Sequence, residues 1–172
     1  YIRKFLVLTG GTYGIAKSTL TIVDALSMVT GRCLLTKEPL RRPLRAWLYN
    51  TEDPREEVER KVAAVMKFYG ITGDDIGDRL FIDTSRENKL IVGGVALNVS
   101  FTAPVPSSVE GLVKGIQQRG VDVLIVDPLV HSHAADENSN TAMGHVMAEW
   151  RRVAEESNCC VELVHHTRKG NG

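Results

Sequence analysis

The chain has 172 residues, which is enough for one well-buried domain and too few for two comfortable ones. Basic and acidic residues both number 21, so the net charge is zero and no overall field draws the chain to nucleic acid; such binding must come from local loops. The odd count of three cysteines predicts free thiols in a reducing compartment, the cytoplasm, and no apolar run reaches the roughly 20 residues of a membrane span. Because the chain stops just after an apolar strand, we expect it to be part of a longer protein.

A short buried strand is predicted over Phe5–Thr9 and a helix over Lys17–Thr30. The stretch between them has glycine three and six residues before Lys17 and serine directly after it. This is the phosphate-binding pattern G-x-x-x-x-G-K-[ST], except that Ala16 stands where the last glycine is expected. Small residues let successive backbone N–H groups surround phosphate oxygens, and the following helix adds the positive end of its dipole.

These residue types predict a site for the phosphates of a nucleotide. Lys17 would contact the β- and γ-phosphates, and the Ser18 hydroxyl would bind Mg²⁺. The Ala16 methyl group should narrow the loop without closing it. The residues predicted to hold the nucleotide are Gly11, Thr12, Tyr13, Gly14, Ile15, Ala16, Lys17, Ser18 and Thr19. The alternative interpretation of this stretch alone is a glycine-rich turn before an ordinary helix.

The next elements alternate in type. The predicted inward face of the first helix consists of Leu20, Val23, Leu26 and Val29. A strand is predicted over Arg32–Thr36, an exposed connector over Lys37–Pro43 and another strand over Arg45–Asn50.

The following helix has a predicted start signal. Asp53 is placed as its N-cap, Pro54 at the first helical position, and Glu56 completes a capping box. Gly70 should end the helix. Its apolar stripe consists of Val58, Val62, Val65, Met66 and Tyr69.

The middle of the chain is the least informative part. A polar loop is predicted over residues 71–78, followed by short strands over Leu80–Ile82, Leu90–Val92 and Val95–Val99, the last two as a hairpin through Gly93-Gly94.

The remaining elements continue the alternation of helices and strands. They are a helix opened by a capping box at Ser107–Glu110 and ending at Gly120, a strand over Val121–Val126, a polar loop from His131 to Asn140, a helix over Thr141–Glu156 and a strand over Cys160–Val164. Strands that are apolar throughout and alternate with helices predict an α/β fold with a mostly parallel, twisted sheet covered by helices on both faces.

Polar residues follow four of the predicted strands, at the sheet edge where ligands bind in such folds. Asp127 matches the Walker B position and would bind Mg²⁺, and Glu52 is predicted to be the general base that activates water. His165 or His166 could sense the γ-phosphate. A turn-starting aspartate is the alternative for Asp127, and one core plus one surface residue is the alternative for the two histidines. Together with the phosphate loop, these positions favour a nucleotide hydrolase.

A metal site is a rival interpretation of the histidines. Its ligands would come from His131, His133, Asp136, His145 and His165 or His166. No cysteine pair and no His-Glu-x-x-His helix supports it.

Four segments resemble the RepA-like branch of the RecA-fold P-loop ATPases, whose type member is a hexameric replicative helicase. They are Leu48–Pro54, Val126–Leu129, Asp136–Asn140 and Val164–Lys169. The resemblance implies a RecA-like ATPase domain over residues 1–172, with ATP and Mg²⁺ as ligands and hydrolysis coupled to single-stranded DNA, usually in a homo-oligomeric ring. It also implies that the segments after the Walker B strand and the His-His strand face the DNA, with His131, His133, Arg168 and Lys169 as candidate contacts. A regulatory or loading module that does not translocate is the alternative.

Overall fold

The computed structural model describes residues 1–12, 14–87, 89–92 and 109–166 of the chain. Strands and helices alternate over most of this length. The described strands are β1 (Leu6–Gly11), β2 (Ala46–Asn50), β3 (Leu80–Thr84), β4 (Val123–Asp127) and β5 (Cys160–His166). The described helices are α1 (Lys17–Thr30), α2 (Arg55–Tyr69), the one-turn α3 (Gly73–Ile76), α4 (Val109–Arg119) and α5 (Asn140–Ser157), with a 3-10 turn over Leu129–Ser132.

The strands form one sheet in the order β1-β5-β4-β2-β3, and every described pairing is parallel. The carboxyl ends of all these strands therefore lie at one edge, where the following loops can meet. The predicted α/β class with a parallel sheet is confirmed.

Helices cover both faces of the sheet because alternate side chains of each strand point to opposite faces and both sets are apolar. In β2, Ala46 and Leu48 pack with buried residues of α1 and α2, whereas Trp47 and Tyr49 pack with those of α4 and α5. Strand β4 divides in the same way. The two apolar cores fix the sheet between the helix layers and so fix the loops at its edges.

Several helix predictions are confirmed. Helix α1 has the predicted bounds, and α2 ends at Gly70, which has a φ of 64°. The predicted stripe of α2 is buried or packed against the core. Leu20 is the exception among the inward positions of α1, since it is 43% exposed and Ile22 is buried instead.

The strand predicted over Arg32–Thr36 is wrong. This segment forms a turn in which the Lys37 N–H donates to the Cys33 carbonyl at 2.8 Å, and Arg32 makes a single isolated bridge with Pro39. Its apolar run is three residues long, and Leu35 is 59% exposed. A run this short satisfies its backbone locally instead of adding to the sheet.

The capping box predicted at Asp53 is also wrong. Helix α2 begins at Arg55, and Pro54 is its N-cap, with no side-chain hydrogen bond to the helix. The Asp53 carboxylate instead accepts a hydrogen bond from Lys61 Nζ at 2.6 Å. The Asp53 carboxylate, which the local pattern assigned to the cap, therefore binds Lys61, a cation two helical turns further along the chain.

The middle of the chain differs from the prediction as well. The polar loop contains α3, where Thr72 and Asp75 form a reciprocal capping box. Leu90 and Val92 are buried outside any strand, and the Val92 N–H donates to the Ser132 carbonyl at 2.7 Å. The predicted strand over Val95–Val99, its glycine turn and the serines of the Ser107–Glu110 capping box lie outside the described residues.

Two predictions about the whole chain have partial answers. Cys33, Cys159 and Cys160 are free thiols, as predicted. Across the described residues, no helix combines the length and the apolarity that crossing a bilayer requires.

Candidate active site

The loop after β1 has the backbone form of a phosphate-binding loop. Gly14 and Ala16 both adopt left-handed conformations, with φ of 80° and 62°. The pattern expects glycine at position 16 because that residue is the left-handed N-cap of α1. Such a conformation costs an L-residue about 1–2 kcal/mol, so the departure at Ala16 adds backbone strain. This backbone strain is a second consequence of having alanine at position 16. The sequence alone suggested only the first, which is the narrowing of the loop by the methyl group.

Gly11 lies close to side chains of its own loop. A Cβ atom there would lie 2.5 Å from Cδ1 of Ile15, so the end of that exposed side chain would have to shift. A Cβ would also lie 3.4 Å from Cδ of Lys17. The Ile15 and Lys17 side chains therefore fold back over the start of the loop, beside the backbone whose N–H groups would face an anion.

Lys17 lies inside this loop and is 6% exposed. Its ammonium donates to the backbone carbonyl oxygens of Gly11 at 2.7 Å and Thr12 at 2.6 Å. These bonds hold a positive charge at the centre of the loop, where phosphate oxygens would accept the same protons.

Asp127 ends β4 close to the first turn of α1. It is 6% exposed, and its Oδ1 is buried with no hydrogen-bond partner among the described residues. Burial raises the pKa of its carboxyl group, and the charge of Glu52 adds to the rise, while a hydrogen bond from Ser18 and the nearby His166 and Lys17 oppose it. A buried carboxylate oxygen beside a hydroxyl is the oxygen donor set that Mg²⁺ prefers, so these residues fit that ion.

Glu52 lies in the turn after β2, next to β4 in the sheet. The Asn50 side chain accepts hydrogen bonds from the backbone N–H groups of Glu52 at 2.9 Å and Asp53 at 2.6 Å. Thr51 joins the turn to the end of β4, since its N–H donates to the Asp127 carbonyl and its hydroxyl to the Pro128 carbonyl. The Glu52 side chain is 44% exposed and its Oε1 lies 3.4 Å from Nε2 of His131.

Parallel pairing brings the histidine pair to the start of the phosphate loop. Strand β5 extends two residues beyond the predicted strand, so that His165 lies opposite Gly10 and His166 opposite Gly11. His166 is close enough to Asp127 to help lower the pKa of that carboxyl group. Both histidines therefore lie beside the phosphate loop, and His166 is also near the Asp127 carboxylate.

The remaining histidines do not form a metal site. No group of three or more His, Cys, Asp or Glu side chains within the described residues is arranged to hold a metal ion. His133 is 7% exposed, its Nδ1 accepts from the Ala135 N–H at 3.2 Å, and burial lowers the pKa of its imidazole. His131 is about half exposed.

Some predicted site residues lie outside the described part of the chain. These are Tyr13, Arg168 and Lys169. The structure adds Asn50 and Thr51, which sequence reasoning missed. An asparagine two residues before an acidic residue at a strand end is a signal for such a turn, because its side chain can bond to the backbone two residues on.

Comparison with known families adds one finding. The model of the AAA domain matches residues 1–172, so the chain belongs to the AAA domain family. No curated protein matches the chain. The family makes this an ATPase-type domain that binds nucleotide.

Proposed function

We propose that this AAA domain hydrolyses Mg²⁺-bound ATP and couples hydrolysis to single-stranded DNA, as a RepA-like replication helicase. The observation that carries the hydrolytic part is the convergence of Lys17, Asp127 and Glu52 at one edge of the sheet. The turn that carries Glu52 is bonded to the end of β4, since the Thr51 N–H donates to the Asp127 carbonyl at 2.8 Å. Burial raises the pKa of the Asp127 carboxyl group, the charge of Glu52 adds to the rise and that of Lys17 opposes it.

Binding is assigned to the loop and to the two oxygen-bearing side chains next to it. The backbone around Gly14 and Ala16 would receive the phosphates, and Lys17 would neutralise their charge. Ser18 and Asp127 would hold Mg²⁺, which when bound would neutralise charge that develops on the phosphates. The buried Oδ1 of Asp127 is the support for this assignment.

Glu52 is assigned as general base. Its partly exposed carboxylate can accept a proton from a water molecule, and its backbone is fixed by Asn50. General-base assistance contributes about 10²–10⁴-fold to such reactions. His165 and His166, beside the loop, are assigned to sensing the γ-phosphate.

The DNA and ring assignments rest on the RepA-like resemblance and on topology. The segments after β4 and β5 leave the same edge of the sheet as the phosphate loop, so a strand of DNA bound by them would be near the nucleotide. Of the two histidines after β4, His131 offers more surface than the buried His133. Arg168 and Lys169 supply the basic groups.

Two substitutions test the hydrolytic proposal. Glu52→Gln should bind ATP with near-normal affinity and hydrolyse it about 10²–10⁴-fold more slowly. Lys17→Ala should lose both turnover and phosphate-dependent affinity. Glu56→Gln, at an exposed position four residues from Glu52, is the matched control and should be normal. Normal turnover in Lys17→Ala would refute the proposal.

The DNA and ring assignments need their own measurement. Turnover should rise when single-stranded DNA is added and should rise with protein concentration as subunits assemble. Arg168→Ala combined with Lys169→Ala should lower the DNA stimulation and leave DNA-free turnover unchanged. If turnover does not change with added DNA or with protein concentration, the result would favour a regulatory module that does not translocate.

A further inference from the structure

We propose that His131 is a positioning residue for Glu52, an inference that rests on the proposed hydrolytic function. Nε2 of His131 lies 3.4 Å from Oε1 of Glu52. The two residues come from different loops, one after β2 and one after β4. Because these strands are neighbours with a parallel register, the loops leave the sheet side by side.

The Glu52 carboxylate needs a partner of this kind. Its backbone is anchored by Asn50, but the side chain beyond Cα has three rotatable bonds and is 44% exposed. In the described part of the chain, no other side chain lies within hydrogen-bonding or ion-pairing distance of this carboxylate. Without His131 the carboxylate would sample several rotamers, and only some of them would point towards the phosphates.

His131 is well placed to supply that restraint because its own turn is held at both ends. At the start of the turn, the Pro128 carbonyl accepts from the Thr51 hydroxyl at 2.9 Å. At the end, Ser132 donates its hydroxyl to the Leu129 carbonyl at 2.7 Å and accepts from the Val92 N–H at 2.7 Å. The imidazole therefore projects from a fixed backbone.

This contact is assigned to orientation and not to folding. Both side chains are about half exposed, and polar or charged contacts at such positions contribute little to stability. Losing orientation affects catalysis more strongly, since a displacement of about 1 Å at a reacting group can cost about 10²-fold in rate.

Steady-state ATPase kinetics of the full chain, without DNA, test the proposal. His131→Ala should lower kcat by about 10- to 100-fold with little change in KM. His131→Gln should recover most of the loss, because its terminal amide N–H can occupy roughly the place of the imidazole Nε2. His145→Ala, an exposed histidine on α5, is the matched control and should be normal. The free energy of unfolding should be the same in all of them.

Two further measurements separate positioning from other roles. In a Glu52→Gln background, His131→Ala should cause no additional loss of turnover, because the base that it orients is already gone. In protein labelled with ¹⁵N-histidine, the His131 imidazole signal, identified by its loss in His131→Gln, should shift in Glu52→Gln. The His145 signal should not move.

The proposal fails if His131→Ala leaves the DNA-free kcat unchanged. It also fails if His131→Ala lowers turnover further in the Glu52→Gln background, or if the His131 imidazole signal does not shift in Glu52→Gln. A defect that appears only in DNA stimulation would assign His131 to DNA contact instead and would also overturn it. These outcomes differ from those that would refute the proposed function. The proposed function fails if Lys17→Ala or Glu52→Gln retains normal turnover.

Discussion

Two buried aspartates lie at the two ends of the same strand and differ in their hydrogen-bond partners. Asp122 directly precedes β4 and Asp127 ends it, and the two are 5% and 6% exposed. Asp122 accepts hydrogen bonds from the Arg45 N–H at 2.8 Å and Arg42 Nη2 at 2.8 Å, and it also pairs with Arg3. Asp127 keeps one buried oxygen without a hydrogen-bond partner among the described residues.

The pKa values of the two carboxyl groups follow from this difference. Burial disfavours the charged form of Asp122, but hydrogen bonds from Arg42 and Arg45 and the charge of Arg3 outweigh it, so its pKa is lowered. Burial dominates at Asp127 and raises its pKa. A buried carboxylate with all its partners joins parts of a fold, whereas a buried oxygen without a partner calls for an explanation such as a bound ion. We therefore assign a structural role to the amino-terminal edge of the sheet and propose the carboxyl-terminal edge as the binding edge.

The largest expected effect breaks the binding edge. Asp127→Asn should lower turnover by about 10²–10³-fold, the usual cost of removing one group that stabilises developing charge. The fold should be no less stable at neutral pH, because the change removes a carboxylate whose charged form burial disfavours. Steady-state kinetics and denaturant unfolding measure the two. Asp74→Asn, at an exposed acidic residue of α3, is the control, and an equal loss there would contradict the assignment.

The structural edge should respond in the opposite way. Asp122→Ala leaves the part-buried Arg45 N–H without its acceptor and should lower the free energy of unfolding by about 1–3 kcal/mol. The kcat of the folded fraction should be unchanged. Asp78→Ala breaks an exposed pair with the same Arg45 and should leave the free energy of unfolding nearly unchanged, because water screens charges at such positions. Equal costs in the two variants would remove the distinction between a buried and a surface partner.

A smaller effect tests whether the binding edge carries strain. Ala16→Gly should raise the free energy of unfolding by about 1 kcal/mol, because glycine adopts the left-handed conformation without a penalty. Turnover should be kept or raised. The reverse substitution, Gly70→Ala, is made at another left-handed residue, where an added Cβ would lie in open space. It should lower the free energy of unfolding by about 1 kcal/mol. A loss of stability in Ala16→Gly would show that the methyl group is itself required.

The smallest effect concerns a third buried carboxyl group, Glu162, which accepts from the hydroxyls of Thr9 and Tyr1. Burial raises its pKa above the ordinary value of 4.5, and these hydroxyls only partly oppose the rise. Its contribution to stability is therefore complete below that ordinary value and is lost as the pH rises through the folded pKa. Asp122 acts with the opposite sign, since its contribution is lost as the pH falls.

Glu162→Gln should therefore flatten the dependence of unfolding free energy on pH. Denaturant unfolding at about pH 4 and about pH 8 measures this dependence, and the free energy of unfolding should fall less between the two in the variant than in the parent chain. An unchanged slope would mean that Glu162 titrates in the folded chain as it does in the unfolded one.

The sequence by itself determined the features that lie within a single local segment. The loop from Gly11 to Ser18 follows a contiguous pattern, and the bounds of α1 and the buried face of α2 follow helical periodicity. Asp127 was predictable as a strand end because an apolar run precedes it. Each of these depends on near neighbours along the chain, whose spacing is visible without a fold.

The tertiary structure decided every feature that depends on which distant segments meet. Parallel pairing places His166 opposite Gly11, and Lys61 takes the carboxylate of Asp53 away from the predicted cap. Arg3 and Arg42 reach Asp122 from far along the chain, and His131 reaches Glu52 because β4 lies next to β2. Local periodicity shows which side of a strand is apolar, but it does not show which strand will be its neighbour. That choice is made by the packing of the whole sheet against both helix layers.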